Sequence, residues 1–333
     1  MRIERADASD PATIQACFEV VRAAQETDDP LGPPWSPRRL RGWLEYPSEP
    51  TETWTCGDET TGAVHGWVRL ALPDRENRDR AHLYLAVHPS SRRRGIGTAL
   101  LRHAAERAAR DGRSVLGSGA FQGSAGAAFA ARAGATPGLV EARRVLVLGK
   151  IPAGRITSLR ERAARAAAGY SLVSWDGRIP DEYLARYAEV ENAMADAPHD
   201  DGEEPEVWDA ARIREHVDIR ERQGRRIYTL AALHAATGEM AALTAVEADP
   251  DNPEWGHQHI TAVTREHRGR RLGLLVKTAM LDWLAGAEPA LERIVTGNAA
   301  VNRYMIAINE ELGYELLSPS LQGYELPVTA LSR

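Results

Sequence analysis

The sequence predicts an α/β protein made of two similar domains, each built around a mixed β-sheet. The first observation is length, because 333 residues are sufficient for two domains of about 150 to 180 residues. The second is an internal repeat, in which the segment at residues 83–109 has a counterpart at residues 260–286. The third is the order of local patterns, since short alternating apolar stretches and amphipathic helical stretches follow one another similarly in both halves.

Both repeated segments run from a short apolar stretch with strand character, through an Arg-rich turn containing Gly, into an amphipathic helix. They read LYLAVHPSSRRRGIGTALLRHAAERAA and ITAVTREHRGRRLGLLVKTAMLDWLAG. The comparison places Arg92 opposite Arg270, 178 residues further along the chain. A repeat of this length indicates duplication of a whole domain, because the units of solenoid proteins are only ~20–50 residues long.

The stretch between Lys150 and Tyr170 is the expected boundary between the two domains. It opens with Pro and Gly, closes with Gly, and has an Ala/Arg-rich helix candidate in its middle. We expect domains at residues 1–150 and 170–333, joined at residues 151–169 by a surface helix whose arginines face solvent.

The first half alternates strands and helices around one proline-rich turn. The run DDPLGPPWSP cannot form regular structure, because proline fixes φ and lacks a backbone donor. Alternation of apolar and polar residues, as in AVHGWVRLAL, predicts half-buried strands. The predicted elements are a strand at 2–6, helices at 10–24 and 36–45, strands at 52–57, 63–72 and 81–88, a helix at 95–110, a strand at 113–118, a helix at 124–133, and late strands up to 149.

The second half gives a similar order of elements, which supports the duplication. The predicted elements are a strand at 170–175, helices at 180–195 and 208–223, strands at 226–234, 239–248 and 257–264, a helix at 272–285, a strand at 291–296, a helix at 299–312, and a terminal strand near 321–328. Strands mixed with helices in this order are typical of an α/β domain with a mixed sheet.

The overall composition excludes several functional classes. Hydrophobic residues make up 43% and charged residues 26%, an ordinary globular balance. A formal net charge of −6 argues against a dedicated nucleic-acid binder, because phosphate contacts need a basic surface. The chain begins without an apolar signal core and has no apolar run of the ~18 residues that a membrane span needs. We expect a cytoplasmic monomer or homodimer without nucleic-acid or membrane partners, with Cys17 and Cys56 as free thiols and with a composition compatible with a bacterial source.

The turn from Arg92 to Gly97 has the features of a phosphate-binding site. A helix N-terminus offers unpaired backbone N–H groups and the positive end of the helix dipole, which together favour an anion. Gly95 and Gly97 carry no Cβ and so let the backbone approach a phosphate closely, while three successive arginines add positive charge. The alternative is a tight connection between a strand and a helix without a ligand.

The spacing R-x-x-G-x-G resembles the pyrophosphate signature of the GNAT (GCN5-related N-acetyltransferase) superfamily, Q/R-x-x-G-x-G/A, which holds coenzyme A. The second copy, RGRRLGLL at residues 268–275, resembles the same signature when it is read from Arg270, with Leu275 in place of the small residue. The flanking strand and helix match as well, and the resemblance covers residues 60–150 and 226–318.

This resemblance implies an acyl-CoA co-substrate, such as acetyl-CoA, and no metal. It also implies which residues contact the co-substrate. In the first copy these are Val87, Arg92, Arg93, Arg94, Gly95, Ile96, Gly97 and Thr98, and in the second copy Val263, Arg268, Gly269, Arg270, Arg271, Leu272, Gly273, Leu274, Asn298 and Asn302.

A second GNAT pattern, N-x-x-A-x-x-F-Y-E-K-x-G-F, lies on the helix after the fifth strand; its Asn contacts the co-substrate and its Tyr often serves as general acid. In TGNAAVNRYMIAINEELGY, Asn302 fits the Asn and Asn309 stands in place of the Tyr. Asn309 can hydrogen-bond a thiolate sulfur but has no titratable proton. We expect Tyr304 of this helix to pack in the interior. The first copy has Gly123 and Ala130 at these places, so we expect it to be catalytically poor.

Acyl transfer to an amine also needs a group that removes a proton from the ammonium. GNAT enzymes often place this base on the strand leading into the turn, where His259 lies eleven residues before Arg270 and shares a face with His257. We expect His259 to titrate not far from ~6.5. Glu247 on the preceding strand is the second candidate, and Ala81 in the first copy could not replace His259. The alternative is that the two histidines are strand-edge residues without a catalytic part.

The resemblance therefore implies transfer of an acetyl or related acyl group from acyl-CoA to a primary amine of a small molecule. It extends to tandem GNAT proteins similar to mycothiol synthase, in which one copy does the chemistry, and we expect the C-terminal domain to be that copy. An acidic loop at residues 196–206 would favour a cationic acceptor. Trp208 and Trp255 are interpreted as core, with walls of the acceptor pocket as the alternative. The rival function is a non-catalytic acyl-CoA-binding regulatory or scaffold protein, which the missing tyrosine favours and the histidine pair opposes.

Overall fold

The computed structural model describes residues 2–58, 62–196, 198 and 202–331. The chain forms two compact units that do not follow the two halves of the sequence. Unit 1 is Met1–Glu141, His199–Glu204 and Leu317–Arg333, and unit 2 is Ala142–Pro198 and Pro205–Leu316. These units differ from the expected bounds of 1–150, 151–169 and 170–333, because the end of the chain belongs to unit 1 and the stretch after residue 141 belongs to unit 2.

Unit 1 is a mixed sheet with helices packed on it. Its elements are β1 Arg2–Arg5, α1 Pro11–Asp28, α2 Pro37–Glu45, β2 Thr51–Gly57, β3 Val64–Ala71, β4 Arg80–Val87, α3 Ile96–Arg110, β5 Val115–Phe121, α4 Ala125–Ala133, the first part of β6 Thr136–Val147, and β13 Leu321–Pro327. The strands follow the order β1-β2-β3-β4-β5-β13-β6.

The two faces of this sheet are covered by different helices. On β3, Val68 and Leu70 are buried in the core beneath α3, whereas Trp67 points to the opposite face and is buried with residues of α1 and α2. This alternation follows from the two-residue period of a strand. The α1/α2 face is therefore separate from the α3 face, and the site described below depends on that distinction.

Strand β13 comes from the C-terminal end of the chain and completes unit 1. It pairs antiparallel with β5 from Leu321↔Phe121 to Pro327↔Val115. Leu326 and Val328 are each 4% exposed and belong to the core beneath α3. The terminal strand that was predicted near 321–328 thus exists, but it serves the N-terminal unit.

Unit 2 repeats this architecture. Its elements are the last part of β6, α5 Arg155–Ala166, β7 Tyr170–Asp176, α6 Asp181–Asn192, α7 Ala210–Arg222, β8 Arg226–His234, β9 Met240–Ala248, β10 Trp255–Val263, α8 Leu272–Ala287, β11 Arg293–Ala299, α9 Arg303–Leu312 and β12 Glu315–Leu316. The strands follow the order β6-β11-β10-β9-β8-β7, and β12 pairs with the last part of β6.

Helix α5 packs on unit 2 through one apolar face, while Arg155, Arg162 and Arg165 are exposed to solvent. Leu159 and Ala163 are buried among residues of α8. Two of its arginines are ion-paired: Arg160 with Asp282 of α8 and Arg162 with Glu311 of α9. An amphipathic helix with apolar residues four apart has a face to bury, and here it buries that face against unit 2.

The predicted helices and strands are otherwise found within a few residues of their expected bounds. Helix α9 begins at Arg303 instead of residue 299, because the side chain of Asn302 caps it by accepting a hydrogen bond from the Met305 amide at 3.2 Å. Among the helices that the structure describes, none combines the length and apolar character that crossing a membrane requires.

Candidate active site

In each unit, two parallel strands separate before the Gly- and Arg-containing turn. In unit 1, pairing between β4 and β5 ends at His82 and Gly117. In unit 2, pairing between β10 and β11 ends at His257 and Val295. Strands β4 and β10 continue to Val87 and Val263 without these neighbours, so each unit has an opening between its two central parallel strands.

The N-terminal turn, residues 92–97, leads from this opening into α3. Gly95 is the N-cap in a left-handed conformation with φ 83°, and no side chain caps the helix, so the first-turn N–H groups remain available to an anion. Arg92 is not available, because it donates to both carboxylate oxygens of Asp28 at 3.0 and 2.5 Å. Arg93 and Arg94 are exposed, and neither has an ion pair within the described part of the chain.

The C-terminal turn, residues 268–273, repeats this geometry with a different residue at the cap. Arg268 pairs with Asp196 at 2.9 Å, as Arg92 pairs with Asp28. The Nε atoms of the two arginines donate to the carbonyls of Val263 at 3.2 Å and Val87 at 3.3 Å, each five residues earlier. Helix α8 again starts without a side-chain cap, after Arg271 in a left-handed conformation with φ 55°.

These matching contacts correct the alignment of the two signatures. Arg92 corresponds to Arg268 and not to Arg270, because Arg92 and Arg268 make the same backbone bond and the same type of ion pair. The expected interpretation with Leu275 as the last residue of the signature is therefore wrong by two residues. In the correct alignment, Gly95 corresponds to Arg271 and Gly97 to Gly273.

The glycine inside each helix has a packing role that the sequence did not reveal. A Cβ at Gly97 would lie 3.6 Å from the ring of Phe129 on α4. A Cβ at Gly273 would lie 3.2 Å from Cδ1 of Ile308 on α9. Each glycine thus allows the helix after the turn to approach the next helix closely. A Cβ at Gly95 would meet nothing within 4 Å, so its requirement is the left-handed backbone conformation.

The arginines of the C-terminal turn are more fully engaged than those of the N-terminal turn. Arg270 is exposed and donates to the carbonyl of Glu266 at 2.7 Å, while Arg271 pairs with Glu311 at 3.2 Å. Of the two turns, the N-terminal one therefore presents more unpaired positive charge. Arg270 can still rotate toward an anion, since its bond to a backbone carbonyl on the surface is a weak restraint.

Strand β10 carries a β-bulge at His259. On β9, Val246 is paired with Gln258 and Ala245 with Ile260, so His259 is an extra residue without a cross-strand partner. The Gln258 amide stabilises the bulge by donating to the carbonyls of Ala245 at 2.7 Å and Ile260 at 2.9 Å. A bulge re-aims a side chain, and here it presents His259 next to the opening between β10 and β11.

The N-terminal unit has no such bulge between residues 66 and 87, where β3 and β4 pair without a shift. His82 and His257 are each the last residue of β4 or β10 that pairs with the next parallel strand, so they correspond to one another. His259 therefore has no counterpart in unit 1, and the expected correspondence with Ala81 is wrong.

The His259 ring lies against the α6/α7 side of unit 2, in contact with His216 of α7. The two ring centroids are 5.5 Å apart with an interplanar angle of 17°. His216 also contacts Trp208 edge-on at 5.4 Å, and the Arg212 guanidinium lies 4.4 Å over the Trp208 ring. Trp208 thus packs against the core of unit 2, as expected, and also borders the candidate site, while Trp255 is buried at 7% exposure as expected for a core residue.

His259 is exposed, yet desolvation by the surrounding protein lowers its pKa. The neighbouring guanidinium groups of Arg220 and Arg225 lower the pKa further, while the Glu247 carboxylate raises it. The pKa therefore lies below the usual value near 6.5, and the imidazole is neutral at pH 7.

Glu247 is held as an anion by two arginines. It is 3% exposed, Arg220 lies 2.8 Å from Oε1, and Arg225 pairs with Oε2. Burial by itself raises the pKa of this carboxyl, but the two guanidinium groups lower it to about 2. A carboxylate in this state accepts a proton poorly, so the geometry favours His259 over Glu247 as a base.

Sequence reasoning missed Glu191 near the end of α6. Its side chain is half-buried, and no hydrogen bond or ion pair to it occurs among the described residues. Burial raises its pKa to about 7, with a further contribution from the Glu206 carboxylate. Glu191 and His216 each lie on a helix where charged and polar residues ordinarily face water, so the sequence pattern contained no signal for either.

The predicted polar residues on β11 and α9 are only partly available to a ligand. Asn309 is fully buried, and its Nδ2 donates to Oδ1 of Asn298 at 2.7 Å. Within the described ranges its own Oδ1 has no hydrogen-bond partner. Asn302 uses its side chain to cap α9. Tyr304 is 87% exposed, so the expectation that it packs in the interior is wrong.

The corresponding α1/α2 face of unit 1 is filled by aromatic side chains. The ring of Tyr84 on β4 lies 5.1 Å from that of Trp43 and 5.0 Å from that of Trp67, and Trp35 packs on Trp43 at 5.6 Å. The Arg69 guanidinium lies 4.3 Å over Trp43. Aromatic packing in unit 1 thus occupies the face on which unit 2 has the stacked rings of His216 and His259.

Two features of the sequence prediction remain outside these sites. Part of the acidic loop, residues 197 and 199–201, lies outside the described residues. In the ranges that are described, no group of three or more His, Cys, Asp or Glu side chains is arranged to hold a metal ion.

Comparison with known proteins was made on both sequence and structure. The acetyltransferase (GNAT) family model matches residues 18–128. No curated protein sequence matches the chain. A solved tandem GNAT protein from the clavulanic acid biosynthesis pathway, determined without acetyl-CoA, is 31% identical with a TM-score of 0.83, and the alignment covers 98% of each chain. A GCN5-related N-acetyltransferase from Sphaerobacter thermophilus is 17% identical with a TM-score of 0.64 over 98% of this chain and 96% of that one, a likeness of fold.

Proposed function

This chain belongs to the acetyltransferase (GNAT) family, and from that membership we propose that it transfers an acetyl or related acyl group from acyl-CoA to a primary amine of a small molecule. The predicted fold class, two tandem GNAT domains with mixed sheets, is confirmed by the tandem relative that matches 98% of the chain. We assign the reaction to unit 2 and propose that unit 1 binds acyl-CoA without turnover.

The observation that carries this assignment is the bulge at His259. It places an imidazole on β10 beyond the last residue that pairs with β11, on the strand that leads into the turn whose backbone N–H groups would bind a pyrophosphate. Unit 1 has an opening and a turn of the same type but no bulge within residues 66–87 and no histidine corresponding to His259. Both units therefore have a turn suited to an anion, and the group that can take a proton is found in unit 2.

The bound acyl-CoA would supply an activated thioester. His259 would accept a proton from the acceptor ammonium at a ring nitrogen, which leaves a neutral amine as nucleophile. The amine then forms a C–N bond at the acyl carbon as the C–S bond breaks, and the nitrogen loses its second proton, which balances the proton taken up by the departing thiolate to give the CoA thiol. Arg270 and the first-turn amides of α8 would hold the pyrophosphate, and the half-buried Glu191 carboxylate would lie on the acceptor side.

Unit 1 is the candidate for acyl-CoA binding without chemistry. Its turn retains exposed Arg93 and Arg94, and its α1/α2 face is filled by Trp35, Trp43 and Tyr84 where an acceptor amine would have to enter. The family model also matches this part of the chain. A turn suited to an anion, together with aromatic packing on the α1/α2 face, supports a binding function for unit 1.

A matched pair of variants tests both assignments. Arg94 and Arg270 occupy the same position in the two turns and are both exposed, so Arg94→Glu and Arg270→Glu should leave the folds intact. Thiol release from acetyl-CoA should be measured across a panel of small amines, and acetyl-CoA binding by calorimetry.

We expect Arg270→Glu to abolish turnover and Arg94→Glu to retain it, with each variant losing one of two binding events. Turnover that depends on Arg94 would move the reaction to unit 1. If acetyl-CoA binds but no amine in the panel causes thiol release, the result would favour a non-catalytic acyl-CoA-binding protein.

A further inference from the structure

We propose that His216 positions His259: the stacked ring of His216 fixes the orientation of the His259 imidazole and covers one of its faces against water. This inference rests on the proposed function, because it concerns the base that we assign to unit 2. It adds a residue from helix α7, which is neither the turn that would bind the co-substrate nor the strand that carries the base.

The bulge creates the need for such a residue. Because His259 has no cross-strand partner, the ladder between β9 and β10 does not restrain its side chain. No hydrogen bond or ion pair of the His259 side chain is found in the described part of the chain, whereas the ring stack with His216 is well formed at 5.5 Å and 17°. Stacking is thus the contact that can hold the imidazole in one orientation.

The orientation of the His216 ring is itself restrained by packing against Trp208. Its other ring contact is the edge-on packing with Trp208, and Trp208 is fixed by two hydrogen bonds to the side chain of Asn192 on α6, at 2.8 and 2.9 Å. Arg212 covers Trp208 and pairs with Glu206 at 3.2 Å. The His216 ring therefore packs against Trp208, whose position is fixed by Asn192 and Arg212. We call Trp208, Asn192 and Arg212 the Trp208 layer.

The charged groups around the stack are consistent with this role. Among the described residues, the charged and titratable groups that act on the pair or on Glu247 are Glu247 on β9, Arg212 and Arg220 on α7, Arg225 after α7, and His257 on the same strand as His259. Burial, with a smaller effect of Arg220, lowers the pKa of His216 to about 3, so this ring stays neutral at pH values well above 3. It therefore acts by covering and orienting His259, not by exchanging protons.

Two substitutions separate stacking from other roles of this histidine. His216→Phe keeps a planar ring that covers His259, whereas His216→Ala removes the ring and admits water. The His259 pKa should be read by NMR titration of the ring resonances, and kcat and KM should be measured in parallel.

We expect the His259 pKa to rise toward ~6.5 in His216→Ala and to stay low in His216→Phe. The value of kcat should fall about tenfold or more in the Ala variant, stay near wild type in the Phe variant, and the KM for acetyl-CoA should change in neither. A His259 pKa that is the same in all three proteins, or a Phe variant as slow as Ala, would overturn the proposal.

The titration reads the stack without requiring turnover, so it still decides the inference if no amine substrate is found. If His216→Ala fails to fold, Trp208→Leu provides the second variant, since it loosens the Trp208 layer. That variant should also raise the His259 pKa. An unchanged His259 pKa in Trp208→Leu would contradict the claim that Trp208 holds His216 in place.

Discussion

The side-chain amide of Gln258 donates a hydrogen bond of 2.9 Å to the carbonyl of Ile260, and so spans the extra residue between them. The same Nε2 donates to the carbonyl of Ala245 at 2.7 Å. A bulge interrupts the regular ladder and leaves carbonyls without their usual donors, and a buried carbonyl without a donor is costly. Gln258 donates to both carbonyls, and the hydroxyls of Thr244 and Thr261 also donate to that of Ile260, which explains physically why the strand can carry an extra residue at His259.

Replacing Gln258 with Leu should therefore weaken the bulge and the activity together. We expect the free energy of unfolding to fall by about 1–3 kcal/mol, because the Ala245 carbonyl loses this donor, whereas the Ile260 carbonyl keeps its bonds from the hydroxyls of Thr244 and Thr261. Acyl transfer should fall more than stability alone explains, since His259 would lose its orientation. Urea denaturation and thiol release measure the two effects.

Gln322 provides a matched control in unit 1. It lies at a register shift in β13 and donates to the carbonyls of Gly138 at 2.7 Å and Gly323 at 3.1 Å. Gln322→Leu should cost similar stability and leave turnover unchanged. Equal loss of activity in both variants would mean that the Gln258 bulge has no particular role in the reaction.

The pH dependence of the reaction should report the lowered pKa of His259. Neutral imidazole is the active form, and its pKa lies below 6.5 because desolvation and nearby arginines disfavour the charged form. The plot of kcat/KM should therefore be level from pH 8 to about 6.5 and fall only below that value. A midpoint clearly above 6.5 in the plot of kcat/KM against pH would show that desolvation and the nearby arginines do not lower the pKa of the base.

Glu247→Gln distinguishes the two candidate bases. The Glu247 carboxylate raises the pKa of His259, so its removal should shift the acidic limb to still lower pH while turnover persists. If Glu247 were the base, turnover would instead fall about 10²–10⁴-fold, the usual contribution of a general base. His259→Gln should show that larger loss.

The two helix caps predict opposite outcomes for opposite substitutions. Gly95 has φ 83° at the cap of α3, and Arg271 has φ 55° at the cap of α8. A side chain in the left-handed region costs about 1 kcal/mol, so Gly95→Ala should destabilise the protein by roughly that amount. Arg271→Gly should regain most of it, reduced by the loss of an exposed ion pair with Glu311. Thermal denaturation of both variants checks the sign, and destabilisation by Arg271→Gly would contradict it.

The sequence contained enough information for the elements, the duplication and both turns, because periodicity and helix-start signals are local. It did not contain the alignment of the two copies, since Arg271 occupies the helix cap where the first copy has Gly95, and Gly273 then appears to match Gly95. Arg92 was therefore compared with Arg270 when its structural counterpart is Arg268. Contacts of His216 and Glu191 depend on which helix face packs on the sheet, and a helix with polar residues on several faces does not specify this.

Local sequence patterns also could not predict which strands β13 pairs with. Its alternating residues predicted a strand, but strand pairing over 200 residues of chain leaves no trace in the strand itself. The expected N-terminal domain of residues 1–150 would therefore lack the neighbour of β5. We predict that a 1–150 fragment is unfolded or aggregates through the exposed edge of β5.

Supplying the missing strand tests this explanation. A fragment in which residues 317–331 are fused after residue 150 should recover a cooperative unfolding transition, because Leu326 and Val328 return to the core. The control carries Leu326→Asp in the fused segment and should not recover. A cooperative transition in the unmodified 1–150 fragment, followed by circular dichroism, would show that β13 is dispensable.

Lys277 of α8 is a buried amine whose charge should cost stability. It is 2% exposed, and in the part of the chain described its Nζ has no hydrogen-bond partner, lying 4.9 Å over the Tyr314 ring. Burial lowers its pKa to about 7 from the ordinary 10.5. By the alignment of the two turns, the corresponding residue in unit 1 is Leu101, which is 4% exposed in the core.

The sign of the pH effect follows from the two pKa values. Between pH 7 and 10.5 the unfolded chain binds a proton at Lys277 that the folded chain does not, so stability from this group rises with pH. Lys277→Met, which keeps the volume without the charge, should therefore stabilise the protein at pH 7 by on the order of 2–4 kcal/mol. The difference from wild type should shrink as the pH approaches 10, because the lysine is then neutral in a growing share of unfolded chains. Leu101→Met is the control, with a pH-independent change below about 1.5 kcal/mol. Urea denaturation at pH 7 and 10 measures both, and a gap that stays constant or widens with pH would show that the buried amine is not the cause.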